Sequence, residues 1–509
     1  MTTAIFTAVL VVCFFALMIG VGLYCRHRAK TVDDFVLGGR KVGPWLTAFA
    51  FGTSYFSAVI FVGYAGQFGW NFGLASTWIG LGNAFIGSLL AWTILGKRTR
   101  IMTQSISSKT MPDFFEKRFG SSKLKVVASA IVFIFLIPYT ASLYNGLSSL
   151  FNIAFDVPYW ACILVMAILT GLYVVFGGYM ATAINDFIQG MIMLVGIVAV
   201  VVAVLMQNGG LVPSVDALAN SAGVQYTSLL GPDPISLVTV VLLTSLGTWG
   251  LPQMIGKFYA IADDKAVRKG TIISTVFAVV VAGGCYFLGG FGRLFVIAAE
   301  SGKPVTGFDG VVPTMLSNLS PYIIGIVIVL VLSASMSTLS SLVLTSSSTL
   351  TLDVFVPAFK KKDMAEKNKI ITMRVLIVFF IILSAVIAIL KDTLLKDVAF
   401  IAQMMGISWG ALAGSFLAPF LYGLYWKKTT RASVWSSFAF GVTIMVTQLV
   451  LSLSKAVPSS GFFHFVFQNS LYTGVIAMLG GLIIVPLVSL FTQKSRPANV
   501  CEIFNCYKK

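Results

Sequence analysis

Serine and threonine are concentrated in one strongly apolar part of the chain. Residues 333–353 contain twelve of them in 21 positions and follow directly on the apolar segment 323–332. Hydroxyl oxygens on one face of an apolar helix can ligate a hard cation such as sodium, which takes oxygen ligands. The alternatives are packing between helices and hydrogen bonding to the carbonyl one turn earlier. Four positions share a helical face because they lie at offsets of 0, 3, 4 and 7: Ala334, Ser337, Thr338 and Ser341.

Asp186 is the second residue whose position suggests ion chemistry. Nearly all of the 18 acidic residues fall in loops or at the ends of apolar segments, whereas Asp186 lies eight residues after the Gly177–Gly178 pair, inside a long apolar run. An intramembrane carboxylate costs about 2.5–3.5 kcal/mol on insertion scales, so its presence indicates a functional role. The alternative is an Asp favoured by the positive end of its own helix.

A succession of apolar segments positions these residues. The chain has 509 residues, of which 57% are hydrophobic and 10% are charged, and its mean hydropathy is +0.92. Soluble proteins carry about 25% charged residues, and one helical crossing of a bilayer needs about 20 apolar residues. The composition therefore predicts an all-α polytopic membrane protein. Thirteen spans are predicted, near residues 4–25, 43–66, 73–96, 124–153, 157–177, 181–206, 236–256, 271–296, 321–350, 371–390, 400–425, 432–453 and 468–492.

Positive charge is distributed unequally between the two sides of the predicted membrane. The net charge is +17, and 30 of the 35 Lys and Arg residues fall in the C-terminal tail or in loops on one side. Because cytoplasmic loops carry such an excess, we expect a plasma (inner) membrane protein with its N-terminus outside and its C-terminus in the cytoplasm. Nucleic-acid binding is not needed to explain the charge. The basic loops are 26–42, 97–125, 257–270, 355–374 and 427–431.

Two of the spans are interrupted by glycine and proline. The second contains FGTSYFSAVIFVGYAGQFGW (51–70), and the seventh contains LTSLGTWGLPQMIGKFY (243–259). Glycine and proline weaken the helical hydrogen-bond ladder and free backbone carbonyls for a ligand. The two spans are five apart, so they cross the membrane in opposite directions, as an inverted repeat requires. Such a pair predicts a transporter site at mid-membrane, with helix packing through small residues as the alternative.

Five segments match a known family in sequence and in order. They are DDFVLGGRKVG (33–43), TMPDFFEKRF (110–119), YVVFGGYMATAINDFIQ (173–189), GLPQMIGKFYAIADDKAVRKG (250–270) and SASMSTLSS (333–341). With these segments the chain resembles the sodium/solute symporter family, which contains bacterial sodium/proline, sodium/galactose, sodium/sialic acid and sodium/pantothenate symporters. One departure is Tyr179, because the family usually has Leu, Met or Phe after the GG pair.

The resemblance implies a fold like that of the bacterial leucine transporter. In that fold two five-helix inverted repeats, here the second to sixth and the seventh to eleventh spans, surround sodium and substrate. The implied function is sodium-driven import of a small solute by alternating access, in the lipid bilayer and as a monomer. The chain would form one transporter domain, 1–509, divided into 1–42 (first span and loop), 43–206 (first repeat), 236–426 (second repeat) and 427–509 (additional helices and tail).

The resemblance also implies a set of sodium ligands. A first sodium ion would be held by the carbonyls of Thr53, Phe56 and Ala334 and by the hydroxyls of Ser337 and Thr338. Sialic acid symporters hold a second ion between the intramembrane Asp and serines of the ninth helix. The counterparts here are Asp186, Ser337, Ser340 and Ser341, so one or two ions could be coupled. The hydroxyls of 345–351 are expected only to solvate the cytoplasmic end of the span.

The substrate is less well indicated. Residues at which the family binds galactose or proline are here Ile60, Thr244 and Thr248, although Pro252 is retained, and 126–151 lacks the Arg that binds sialic acid. A small, partly apolar solute is favoured, such as a monocarboxylate, a pantothenate-like acid or an amino acid, with a sugar or sialic acid as the alternative. No Lys or Arg is expected at mid-membrane to bind an anion. The candidate pocket is lined by Phe56, Ile60, Tyr64, Tyr139, Thr248, Trp249 and Gln403.

Other classes of membrane protein find less support. An enzyme would need a nucleophile–base pair or a metal motif, but the only histidines, His27 and His464, lie in predicted loops and no cysteine pair has metal-ligand spacing. An ion channel would not need two interrupted spans related by inversion, and no signalling domain suggests a sensor. None of these three classes is favoured over a secondary transporter.

Overall fold

The structure is a computed structural model that describes residues 2–26, 29–155, 158–358, 364–394 and 400–508. The described residues form helices and no β-strand, which confirms the all-α prediction. The α-helices are α1 (Thr2–Cys25), α2 (Val32–Leu37), α3 (Pro44–Tyr55), α4 (Ala65–Phe72), α5 (Thr77–Gly82), α6 (Lys97–Ser105), α7 (Met111–Phe119), α8 (Ser122–Phe155), α9 (Tyr159–Met206), α10 (Leu211–Ala222), α11 (Pro234–Leu246), α12 (Pro252–Ala260), α13 (Asp264–Gly289), α14 (Val311–Ser317), α15 (Pro321–Leu350), α16 (Val356–Ala358), α17 (Glu366–Leu394), α18 (Phe400–Tyr425), α19 (Arg431–Leu453), α20 (Gly461–Phe467), α21 (Ser470–Phe491) and α22 (Val500–Phe504).

Shorter helical turns of other types connect or extend these helices. Four are π-helical, a geometry that is frequent at functional sites: Val59–Tyr64, Asn83–Leu90, Trp92–Gly96 and Thr351–Phe355. The 3-10 turns are Gly38–Arg40, Gly73–Ser76, Val224–Tyr226, Gly247–Gly250, Gly292–Leu294, Phe308–Gly310, Gln493–Ser495 and Asn505–Tyr507.

Ten helical stretches of the described chain are long and apolar enough to cross a membrane, or eleven if α11 and α12 form one bent span. Two stretches, Val59–Ser105 and Tyr159–Met206, have 47 and 48 residues, about twice the 20 or so that one crossing needs. The second breaks at Gly178, where φ is 57° and a Cβ atom would lie 2.8 Å from the Phe35 ring, so only glycine fits. The total of thirteen spans stays a prediction.

Both spans predicted to be interrupted are broken. The first break follows α3 at Phe56 (φ −95°, ψ 86°), before the π-helical turn Val59–Tyr64. The break therefore does not fall on a glycine. Gly52 instead packs against the Phe277 ring, to which a Cβ atom would approach within 2.4 Å. The second break lies between α11 and α12, whose axes differ by 48°, with Pro252 at the first position of α12.

The hydroxyl groups after Ser341 are buried, so the expectation that they solvate the end of the span is wrong. Ser346, Ser347 and Thr351 are fully buried. The turn Thr351–Phe355, which continues α15, contacts α8 and α17. Thr110, just before α7, donates a 2.6 Å hydrogen bond to the carboxylate of Asp353 in this turn.

The C-terminal tail lies against the side of the molecule that carries the basic loops, here called the basic face. Arg118 of α7 donates to the carbonyls of Gly423 (2.9 Å) and Trp426 (3.2 Å) at the end of α18, and its guanidinium stacks on the Phe504 ring of α22. Burial lowers the pKa of Arg118 to about 10, so the side chain remains a cation at neutral pH. It can therefore stabilise the negative end of α18.

Candidate functional site

The break after α3 faces the hydroxyl-bearing side of α15. The Thr53 carbonyl accepts hydrogen bonds from Ser337 (3.2 Å) and Thr338 (3.0 Å), and both hydroxyls also lie 3.3 Å from the Ala334 carbonyl. Four of the five groups predicted for the first sodium ion therefore converge in a fully buried place. Phe56 lies at the break itself, and the part played by its carbonyl stays a prediction.

This cluster consists of neutral oxygen groups. Two hydroxyls donate to two carbonyls, so each hydroxyl can rotate and turn a lone pair toward a cation, which then replaces its hydrogen bond. Oxygen ligands suit hard cations. The arrangement fits a sodium ion, while the ligand role of these residues remains a prediction.

Asp186 and Lys257 form a buried ion pair. The carboxylate of Asp186, which is inaccessible to solvent, lies 3.7 Å from the Lys257 ammonium, and neither carboxylate oxygen accepts a hydrogen bond from the described residues. The same ammonium donates a 2.9 Å hydrogen bond to the Ser341 hydroxyl, which lies 2.7 Å from that of Ser54. Two of the residues predicted for the second sodium ion, Asp186 and Ser341, are thus bridged by the Lys257 ammonium. Ser340 instead donates to the Ser337 carbonyl (2.9 Å).

A basic residue, Lys257, is therefore buried inside the bundle. Lys257 was counted with the basic loop 257–270, but its side chain is only 3% exposed. Backbone bonds from Val42 to the Ala260 carbonyl (3.2 Å) and from Ala262 to the Val42 carbonyl (3.1 Å) hold the end of α12 within the protein. The last turn of α12 is thereby covered, and Lys257 points inward rather than into water.

An aromatic cluster lies beside the break of α3. The ring of Tyr55 stacks on that of Phe56 at 4.3 Å, and Trp409 of α18 lies 6.0 Å from Tyr55 and 6.1 Å from Tyr139. The Tyr139 hydroxyl also lies near the Ser57 hydroxyl and the indole nitrogen of Trp409. Within the described part of the chain, none of these three polar atoms has a hydrogen-bond partner. These three groups thus lie close together without a hydrogen bond of good geometry, and a ligand entering between them could accept their hydrogens.

The other predicted pocket residues divide into two groups. Thr248 and Trp249 donate to the carbonyls of Gly87 and Ile86 (3.2 and 3.1 Å), so their polar hydrogens tie the α11–α12 break to the π-helical turn Asn83–Leu90. Ile60 and Tyr64 are fully buried in the turn Val59–Tyr64, which contacts α8 and α18. Gln403 accepts a bond from Ser470 through its carbonyl (3.2 Å).

Three residues of the site were missed by the sequence reasoning: Ser57, Lys257 and Trp409. Ser57 directly follows the break and stands in the predicted interrupted segment, so its position was a usable signal. Trp409 lies in the Gly-rich stretch GISWGALAG (406–414). A lone tryptophan there is equally consistent with helix packing, and only the fold brings it to Tyr139.

A cavity opens from the basic face toward the ion pair. It has a volume of about 50 Å³ and reaches from Lys109 and Thr110 to Gln253, Lys257 and Ser341. No group of three or more His, Cys, Asp or Glu residues that could hold a metal ion occurs in the described ranges. The oxygen cluster at Thr53 is thus distinct from a carboxylate-rich metal site.

An all-α membrane fold in which broken helices present carbonyls and hydroxyls to facing helices defines a secondary transporter. Comparison with known proteins gives the family. Residues 35–441 match the sodium:solute symporter family, and the chain belongs to it. It is thus a sodium-coupled solute symporter and not an enzyme.

Relatives and solved structures agree with this assignment. The osmoregulated proline transporter OpuE of Bacillus subtilis (strain 168) is 28% identical over 472 residues, covering 92% of this chain and 93% of that protein. The sodium/proline symporter of Staphylococcus aureus (strain JH9) is 28% identical over 499 residues, covering 96% and 93%. The structure of a Na+-coupled sialic acid symporter superposes with a TM-score of 0.74 at 17% identity, covering 95% and 98%. MhsT in complex with L-phenylalanine gives a TM-score of 0.52 at 16% identity, covering 86% and 98%. These likenesses confirm the leucine-transporter-like fold.

Proposed function

We propose that the protein imports a small carboxylate-bearing solute with an apolar body, such as an amino acid or a monocarboxylate. The observation that carries this proposal is a set of three neighbouring buried donors that make no hydrogen bond of good geometry: the hydroxyls of Tyr139 and Ser57 and the indole N–H of Trp409. An unsatisfied buried donor is costly, and an anionic acceptor gives the strongest neutral-donor hydrogen bonds. The rings of Tyr55 and Phe56 would contact the apolar part of the solute.

The names of two relatives favour an amino acid, since both transport proline. The threonines that stand at the family's proline-binding positions do not offer free hydroxyls. Thr244 donates to the Val240 carbonyl (2.8 Å) and Thr248 to the Ser245 carbonyl (2.9 Å). A pocket built this way differs from that of the proline symporters, so proline is one candidate among small amino acids.

Sodium enters the proposal at two places. The first ion is held by the oxygen cluster of Thr53, Ala334, Ser337 and Thr338, with the Phe56 carbonyl completing it. The second is held at Asp186 with Ser341, joined by the nearby Ser340. Support for the second site is that both carboxylate oxygens of Asp186 lack a hydrogen-bond partner among the described residues.

The direction of transport follows from charge. We place the basic face in the cytoplasm, because positive residues are retained there, and the N-terminus outside. The cavity that leads to Lys257 would then be the release path to the cytoplasm. The repeats 43–206 and 236–426 would move against each other around the two breaks, within a functional monomer in the plasma membrane.

The proposal is tested with purified protein in lipid vesicles. A thermal-shift screen of amino acids, small carboxylic acids and sugars, each in sodium and in potassium chloride, first finds the ligand. Uptake of that ligand is then measured with an inward gradient of either cation. We expect sodium-dependent uptake of a carboxylate-bearing solute and none of its amide. Stabilisation only by sugars, or equal uptake in potassium, would refute the proposal.

A further inference from the structure

Lys257 lies between the proposed second sodium site and the cavity on the basic face. Its ammonium contacts two of the predicted ligands of that site, donating to the Ser341 hydroxyl at 2.9 Å and lying 3.7 Å from the Asp186 carboxylate. A distance of 3.7 Å is an ion pair but is too long for a hydrogen bond. The ammonium thus occupies the neighbourhood of Asp186 without satisfying either of its oxygens.

A second place for the ammonium exists on the same helix. Gln253 precedes Lys257 by four residues in α12, so the two side chains lie on one helical face. The Gln253 side chain is buried, and neither its carbonyl oxygen nor its amide nitrogen has a hydrogen-bond partner among the described residues. Both side chains line the same cavity. A modest rotation of the Lys257 side chain could therefore transfer its ammonium from Ser341 to the Gln253 carbonyl.

Because of their positive charges, sodium and the Lys257 ammonium are alternative partners of Asp186. A buried carboxylate without a cation is strongly unfavourable, and two cations at a single carboxylate repel each other. Tyr173, Tyr179 and Gln189 surround this place as neutral groups, and no other ion pair of Asp186 occurs in the described part of the chain. Asp186 therefore needs one cation at a time, either sodium or the ammonium.

We infer that Lys257 is the built-in counter-ion of the second sodium site. It pairs with Asp186 and Ser341 when sodium has left, and it moves to Gln253 when sodium binds. The empty carrier would then return across the membrane without an uncompensated buried carboxylate. This inference rests on the proposed second sodium site, and it makes Lys257 a competitor of sodium as well as a stabiliser of the sodium-free state.

The test compares Lys257→Met with the wild type in two measurements, the binding of radioactive sodium and the melting temperature in sodium and in potassium chloride. Without its counter-ion, Asp186 should bind sodium more tightly, with a half-saturating concentration lowered about 5-fold or more. The variant should be less stable than the wild type in potassium chloride and regain stability in sodium chloride. Lys265→Met, which changes an exposed lysine of the same basic loop, should behave as the wild type.

Gln253→Met provides a second variant that keeps the ion pair. It removes the alternative acceptor, so its half-saturating sodium concentration should rise about 5-fold or more, while its melting temperature in potassium chloride stays near that of the wild type. An unchanged sodium affinity in Gln253→Met would overturn the inference. So would a loss of stability in Lys257→Met that is the same in both salts.

The failure of this inference can be told apart from failure of the proposed function. If the wild type binds no sodium at all, the proposed function fails. If the wild type binds sodium and Lys257→Met binds it with unchanged affinity, only the role of Lys257 fails. The double variant Lys257→Met/Asp186→Asn removes both charges and should bind one sodium ion fewer than the wild type. Retention of the wild-type stoichiometry would again contradict the inference.

Discussion

The Thr338 hydroxyl of α15 donates a 3.0 Å hydrogen bond to the Thr53 carbonyl at the last turn of α3. It joins a helix of the predicted second repeat directly to the broken helix of the first. A sodium ion bound between them would replace this bond, because the hydroxyl must turn its lone pair toward the cation. At the proposed first sodium site, sodium occupancy and the contact between α3 and α15 would therefore be coupled through one side chain.

We expect Thr338→Ala to weaken sodium dependence strongly. The variant removes one oxygen ligand, and a hydrogen bond or similar contact to a charged group is worth about 1.5–3 kcal/mol. The half-saturating sodium concentration for uptake should therefore rise by about 10- to 100-fold. Sodium titration of solute uptake in vesicles measures this shift, and Ser337→Ala should act in the same direction.

Ser333→Ala is the matched control for this experiment. Ser333 is a buried hydroxyl on the same helix, but it donates to the Val329 carbonyl (2.7 Å) and not to α3. Its removal should leave the sodium titration unchanged. Equal shifts in Ser333→Ala and Thr338→Ala would point to a general effect on α15 and exclude the proposed ligand set.

Asp186→Asn should reduce the number of coupled sodium ions from two to one. At a membrane potential of 100 mV each charge contributes about 2.3 kcal/mol, so the maximal accumulation of a neutral solute should fall from about 10³-fold to about 40- to 50-fold. The steady-state accumulation ratio measures the change. Asp216→Asn, on the exposed side of α10, is the control, and an unchanged ratio in Asp186→Asn would rule out a second ion at this place.

Helical periodicity was sufficient to predict which hydroxyls share the side of α15 that faces α3. The offsets of Ala334, Ser337 and Thr338 depend only on the geometry of one helix. The family motifs then predicted that these residues face the broken helix α3. The prediction for the hydroxyls of 345–351, further along α15, was wrong. Burial of Ser347 depends on the packing of α15 against helices distant in sequence, such as α8, α9 and α17, and composition carries no information about such contacts.

Lys257 illustrates a second limit on what the sequence alone predicts about the site. Hydropathy and charge mark where a span ends, and a lysine at that position is normally assigned to the loop. The 48° bend between α11 and α12 and the two backbone bonds with Val42 turn this lysine inward instead. Its partner Asp186 was predicted as a functional carboxylate, but a single sequence offers no signal that pairs the two.

The proposed carboxylate-binding role of the aromatic cluster predicts a loss of affinity in Tyr139→Phe. This variant keeps the ring packing and removes one donor, so KM for the solute should rise by about 10- to 100-fold if the lost bond was to a charged group. Trp409→Phe removes the indole donor and should act similarly. Uptake kinetics at saturating sodium separate KM from the maximal rate.

Tyr422→Phe is the control for these two variants. Its hydroxyl donates to the Leu482 carbonyl (3.0 Å), between α18 and α21 and away from the cluster. The variant should lower stability by about 1 kcal/mol, the typical net value of a hydrogen bond, and leave KM unchanged. A KM in Tyr139→Phe that equals the wild-type value would show that this hydroxyl does not contact the solute.

Lys125 is predicted to hold the end of α15 against the basic face. Its ammonium lies 2.9 Å from Glu116, 3.4 Å from Asp113 and 3.6 Å from the buried Asp353. Lys125→Met leaves Asp353 without a counter-ion, and breaking a buried pair costs about 3–5 kcal/mol. We expect a clear fall in the melting temperature of the purified protein, since the ammonium itself is 14% exposed and the penalty is only partly screened by water.

A double variant separates this charge effect from lost packing of the lysine stem. Lys125→Met/Asp353→Asn removes the uncompensated charge and keeps an acceptor for the Thr110 hydroxyl, so it should regain part of the lost melting temperature. Lys123→Met changes an exposed lysine two residues earlier and should have little effect. If the double variant melts below Lys125→Met, the destabilisation does not come from the buried carboxylate.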